Sequence, residues 1–139
     1  MRIPRIVLAG SLLLASPFTC LAQDEATQPA QTAARTWLAL TDGGKYESSW
    51  DQAAAFFKAS ITKAAWAGAV ASVRSPLGPL KARKLKSATY TRQLPGAPAG
   101  EYVVIQYDTQ FQNRAGAVET ITPMREPDGS WKVCGYFIK

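Results

Sequence analysis

The chain has 139 residues, a formal net charge of +6 and no histidine. That length suits one domain with a real core and hardly two, and the mildly basic balance falls short of what a nucleic-acid binder usually shows. Without histidine, serine–histidine triads, cysteine–histidine pairs and histidine-ligated zinc are excluded as internal chemistry, so no metal and no cofactor is expected.

Met1 to Arg5 is a short basic start, and Ile6 to Phe18 is an apolar run too short to span a bilayer as a permanent helix. Cys20-Leu21-Ala22 places small residues where a signal peptidase reads, so residues 1–22 are expected to be a signal peptide cleaved after Ala22. The mature chain is then expected to be periplasmic or secreted, with no integral membrane segment and no nucleic-acid partner. Pro17 and Thr19 do not suit a lipoprotein signal, so Cys20 is expected to leave with the leader. Cys134 then has no partner for an internal disulfide.

Residues 23–31 (QDEATQPAQ) are polar, contain Pro29 and show no apolar periodicity, which predicts a flexible linker ahead of a single domain over 32–139. Three helical patterns follow. Ala34, Trp37, Leu38 and Thr41 lie at helical spacing, and Asp42-Gly43-Gly44 stops that helix. Tyr46, Trp50, Ala53, Ala54 and Phe57 form the second stripe. Trp66, Ala69, Val70 and Val73 form the third, with Ser60 or Thr62 as N-cap and Pro76 ending it. Each stripe carries a tryptophan, expected to hold its helix to the rest of the domain.

From Leu80 onward the period becomes two. Leu85–Leu94, Glu101–Gln112, Ala117–Arg125 and Ser130–Ile138 read as strands, separated by a Pro/Gly-rich turn at 95–100 and tight turns near Asn113 and Asp128. Val103, Ile105, Tyr107 and Phe111 share one face of the second strand; Trp131, Val133 and Phe137 are expected to share one face of the fourth. The sum is an α+β fold: three N-terminal helices packed on one face of a four-stranded antiparallel meander.

Several blocks in series carry a resemblance: Asp42-Gly43-Gly44-Lys45-Tyr46 leading to Ser49-Trp50, Arg74-Ser75-Pro76-Leu77-Gly78, Gly100 to Tyr107, Glu119 to Thr122, and Asp128 to Ile138. In order and spacing they resemble the bacterial family called domain of unknown function 4019, over about Ala33 to Lys139. The resemblance implies a small exported protein and supplies no catalytic residue. The order of helices and sheet is also similar, at the level of topology, to cystatin-like and NTF2-like folds, and fold does not fix function.

Five residues are candidate ligand or partner contacts: Arg74, Lys84, Lys86, Arg92 and Tyr107. On a strand Lys84, Lys86 and Arg92 share a face, as an electropositive strip for an anionic partner or as charges that guard a sheet edge; Arg83 is assigned to the entering loop. Arg74, in the last turn of its helix, suits the helix dipole and could equally reach a ligand carboxylate. Tyr107 belongs to a group of aromatics that either line a pocket or fill the core. Asp42, Asp108 and Glu119 are the acids nearest a concave sheet face, with Asp108 pointing away from the apolar side. The expected function is a non-catalytic binding or interaction module of the bacterial envelope, for an envelope protein or a small amphipathic ligand; a protein-interaction domain acting as an inhibitor or assembly factor is a third reading. The alternative is a cone-fold enzyme using a single carboxylate base on a small amphipathic substrate.

Overall fold

The computed structural model describes residues 18–139, with side chains described from Thr27 onward. The leader expected over 1–22 falls outside that description, apart from the helical backbone of 18–22. Four helices come first: α1 (Phe18–Asp42), α2 (Tyr46–Asp51), α3 (Ala55–Ser60) and α4 (Lys63–Leu77). Four strands follow: β1 (Leu80–Thr91), β2 (Tyr102–Phe111), β3 (Arg114–Arg125) and β4 (Trp131–Ile138). They form one antiparallel sheet in the order β1-β2-β3-β4. The α+β meander expected from the switch in periodicity is the observed fold.

The polar segment 23–31 departs from expectation, being helical rather than a flexible linker. Thr27, Ala30 and Gln31 are buried in register with Ala34, Trp37, Leu38 and Thr41, so the inward stripe extends upstream through small and polar residues. Gln31 Nε2 donates to Thr27 Oγ1 at 3.2 Å, which satisfies a polar group that burial would otherwise penalise. Pro29 lies inside this helix.

The second stripe is split in two. Between α2 and α3 the backbone N–H of Ala54 leaves the helical pattern and donates to the Val133 carbonyl of β4 at 2.8 Å. The third starts at Thr62, whose Oγ1 accepts from Ala65 N at 3.2 Å as an N-cap. It runs one residue past Pro76 and ends at Gly78, with φ +74°. The turn after β2 closes that end: Asn113 N donates to the Leu77 carbonyl at 2.9 Å and Asn113 Nδ2 to the Pro76 carbonyl at 3.0 Å.

Aromatic rings fill the space between helices and sheet. Trp37 lies 5.9 Å from Trp66 and 5.2 Å from Tyr136 between centroids, and Trp66 meets Phe57 edge-on at 4.9 Å. The buried Ser49 ties two indoles down: its carbonyl accepts from Trp37 Nε1 at 2.8 Å and its Oγ from Trp66 Nε1 at 2.9 Å. The Ser49→Ala variant therefore leaves a buried indole N–H unpaired, an expected loss of about 1–3 kcal/mol in urea unfolding. A loss below about 0.5 kcal/mol would show that this N–H finds another partner.

Two sheet irregularities decide which side chains face inward. β1 begins at Leu80, ahead of the expected Leu85, and this brings Arg83 into the sheet opposite Thr109. In β4 the register slips between Thr122 and Pro123, with Pro123 opposite Val133 and Thr122 opposite Gly135, so Cys134 is an extra residue. The slip reverses the parity beyond it. Tyr136 therefore packs on Trp37, whereas Phe137, expected on the face of Trp131 and Val133, points out.

Candidate functional site

The densest chemistry among the described residues is an internal ion network where α1 and α4 end against the sheet. Glu119, on β3, is fully buried at 0% exposure. Arg83 from β1 grips it bidentately, Nε to Oε1 at 2.6 Å and Nη2 to Oε2 at 3.1 Å. Thr109 Oγ1 donates to Oε1 at 2.6 Å, and the Tyr136 hydroxyl donates to Oε2. The other side of Arg83 holds Asp42 at the end of α1, Nη1 to Oδ2 at 2.8 Å and Nη2 to Oδ1 at 2.9 Å. Arg74, at the end of α4, donates to Asp42 Oδ1 at 3.0 Å and to Thr41 Oγ1 at 3.3 Å.

Two guanidiniums and two carboxylates make this group electrically neutral. Its side-chain exposures run from 0% for Glu119 and 4% for Arg74 to 13% for Arg83 and 20% for Asp42. The Arg74 guanidinium lies 4.8 Å from the Phe111 ring centroid, and that of Arg83 lies 5.9 Å from that of Tyr107. Burial opposes the Arg83 charge, but its hydrogen bonds to Asp42 and Glu119 outweigh that and hold its pKa above the ordinary value. Burial first, then the negative field of Glu119, raises the Tyr136 phenol well above its usual range, so it remains the donor.

Chemically, Glu119 is saturated. Four donors occupy its two oxygens, and none of its usual acceptor sites is open to a substrate proton. Asp42 is likewise engaged by both arginines. Asp108, the third acid singled out from sequence, is exposed on the opposite face of the sheet, 3.9 Å from Lys86.

The five candidate contacts are therefore not one site. Arg74 is buried and committed to Asp42 and Thr41, so it is not available to a ligand carboxylate. Tyr107 packs in the core, its buried hydroxyl without a hydrogen bond among the described residues. Lys84 and Lys86 do lie together on the outer face beside Asp108. Arg92 lies beyond the end of β1 and lines a separate cleft of about 830 Å³ with Glu101, Arg125 and Glu126. Arg83, the centre of the network, belongs to β1 and not to the entering loop, because the strand starts at Leu80 rather than at Leu85. The signal available was Gly78-Pro79, a punctuation mark that moves the start to Leu80.

Cys134 is half-buried, and burial above all pushes its thiol up to about 11. At pH 8 only about a thousandth of it is then thiolate. Disulfide-reagent labelling of the folded protein at pH 8 should run at least about a hundredfold slower than with free cysteine, and recover on unfolding. Rapid labelling of the folded chain would contradict this environment.

Fold and site together define a small α+β domain whose helices are locked to a four-stranded meander by aromatic packing and a neutral internal ion network. The model of the family described as protein of unknown function (DUF4019) matches residues 33–136, and the chain belongs to that family. No curated protein and no solved structure matches it. Among the described residues, no helix is long and apolar enough to cross a membrane.

Proposed function

We propose that this protein is a non-catalytic, exported interaction module of the bacterial envelope, meeting its partner through its outer surface. The observation that carries this reading is the saturation of Glu119: the one inward, fully buried acid of the three singled out has every acceptor site filled from within the fold. A carboxylate base needs a lone pair open to its substrate. The interior offers amphipathic ligands little room either, since Trp37, Trp66, Phe57 and Tyr136 occupy the layer between helices and sheet. Large apolar side chains do stand out at the surface: Val73 and Phe137 are each 50% exposed.

Export rests on the basic start, the short apolar run and the small residues at 20–22. The test is native mass spectrometry on protein purified from the envelope fraction of its own host. The expected result is a chain beginning at Gln23 and carrying a discrete protein partner. A chain that still carries residues 1–22, or no chain in that fraction, would contradict export, and in a separate assay turnover of a small substrate abolished by Glu119→Gln would contradict the non-catalytic reading.

A further inference from the structure

The two edges of the sheet are treated differently. β1 carries Lys81, Arg83, Lys84 and Lys86 together with two register shifts, the usual protection against a stray strand. The outer half of β4, Gly135-Tyr136-Phe137-Ile138, has no charge and no proline. Its backbone is also open. Val118 and Lys139 exchange both backbone hydrogen bonds at 2.9 Å, so the doubly bonded positions alternate through Phe137 and Gly135. Tyr136 and Ile138 between them turn their N–H and C=O groups outward, and no described group outside the sheet bonds them. Only further back, at Val133, is the outer edge occupied, by Ala54 N.

Beside this open edge lies an apolar groove of about 250 Å³, lined by Trp66, Val70 and Val73 of α4 and by Tyr136, Phe137 and Ile138 of β4. An open edge strand beside an apolar groove is the arrangement for adding a strand: the backbone bonds to the edge, and alternate side chains enter the groove. Charge selects the occupant. Lys132 and, beyond the slip, Phe137 and Lys139 lie on the outer face, and neither lysine has a carboxylate within ion-pair distance among the described residues. Lys139 Nζ rests 5.7 Å from the Phe137 ring centroid instead. A second copy of β4 would bring the same lysines and no acid.

We propose that the outer edge of β4 and the α4 groove take an extended segment of a partner protein as a fifth strand, apolar where it faces α4 and acidic where it faces Lys132 and Lys139. This rests on the interaction-module reading and names the surface that serves it. The test is selection of phage-displayed random heptapeptides on the mature protein, followed by amide exchange of the protein with and without a selected peptide. Enriched peptides should alternate apolar and acidic residues and slow exchange at Tyr136 and Ile138 at least about tenfold. The exposed-site variant Val73→Arg should weaken binding at least about tenfold, and Lys132→Glu/Lys139→Glu should switch the selected charge from acidic to basic.

Peptides without alternation, unchanged exchange at Tyr136 and Ile138, or a β4-paired dimer broken by Val73→Arg would each overturn the proposal. In-cell photo-crosslinking separates this from the broader reading. Adducts from Lys84 or Arg92 but none from Val73 or Phe137 would overturn the strand-addition site alone, while no adduct from any of the four would overturn both.

Discussion

Replacing Arg83 by methionine is expected to cost about 3–5 kcal/mol, the usual penalty for stripping one partner from a buried ion pair. The reason is Glu119. With 0% exposure and β3 backbone on either side, it cannot turn to water when its bidentate partner goes. Thr109 and Tyr136 would still donate to it, but neither carries a compensating charge. At the usual sensitivity of small domains this lowers the thermal midpoint by roughly 12 °C or more. The size of the loss does not mean the network is a net source of stability, because desolvating four charged groups offsets much of their mutual attraction. The double variant Arg83→Met/Glu119→Gln therefore distinguishes the two ideas. It leaves the Arg74–Asp42 pair intact and removes the orphaned charge, so it should recover at least about half of the single-variant loss. A single-variant loss below about 1 kcal/mol would contradict the burial assigned to this pair.

The second large effect is expected at Trp37. Its indole, near the C-terminal end of α1, touches Trp66 and Tyr136 and donates to the Ser49 carbonyl, thereby joining α1 to α2, α4 and β4 at one point. Trp37→Ala should cost about 3–5 kcal/mol, through lost apolar burial and a cavity that three surrounding elements cannot collapse. Trp37→Phe keeps much of the packing and loses the hydrogen bond, so it should fall well between the two. In urea titrations the midpoint should move with little change in slope. A large fall in slope would instead mean that the helices had come away from the sheet while the meander persisted.

Much of this architecture was legible because each layer writes its own period. The tryptophans at 37, 50 and 66 marked three inward helical faces, and alternation through Val103, Ile105, Tyr107 and Phe111 marked the central strand. The rest leaves no mark in a hydrophobic period. The slip at Cys134 exchanges Tyr136 and Phe137 between core and surface, and no periodicity announces a single extra residue. The lead-in at 27–31 is buried through Thr27, Ala30 and Gln31, residue types that a hydrophobic pattern does not register.

The candidate site was legible only in parts. Asp42, Arg74 and Glu119 were all singled out, but nothing local linked positions so far apart along the chain. Arg83, which joins two of them directly, looked like one more cation in a basic run. Sequence spacing separates surface from core within an element; it does not show which cation of several will meet a buried acid across the fold.

The measurement that bears most directly on an interaction role is in-cell photo-crosslinking from Val73, Phe137, Lys84 and Arg92, with the exposed Lys45, in the loop between α1 and α2, as a control. A discrete envelope-protein adduct from Val73 and Phe137, absent from Lys45, is the expected result. Uniformly bare chains at all of these positions, in cells where the protein is abundant and folded, would contradict an interaction role for this surface.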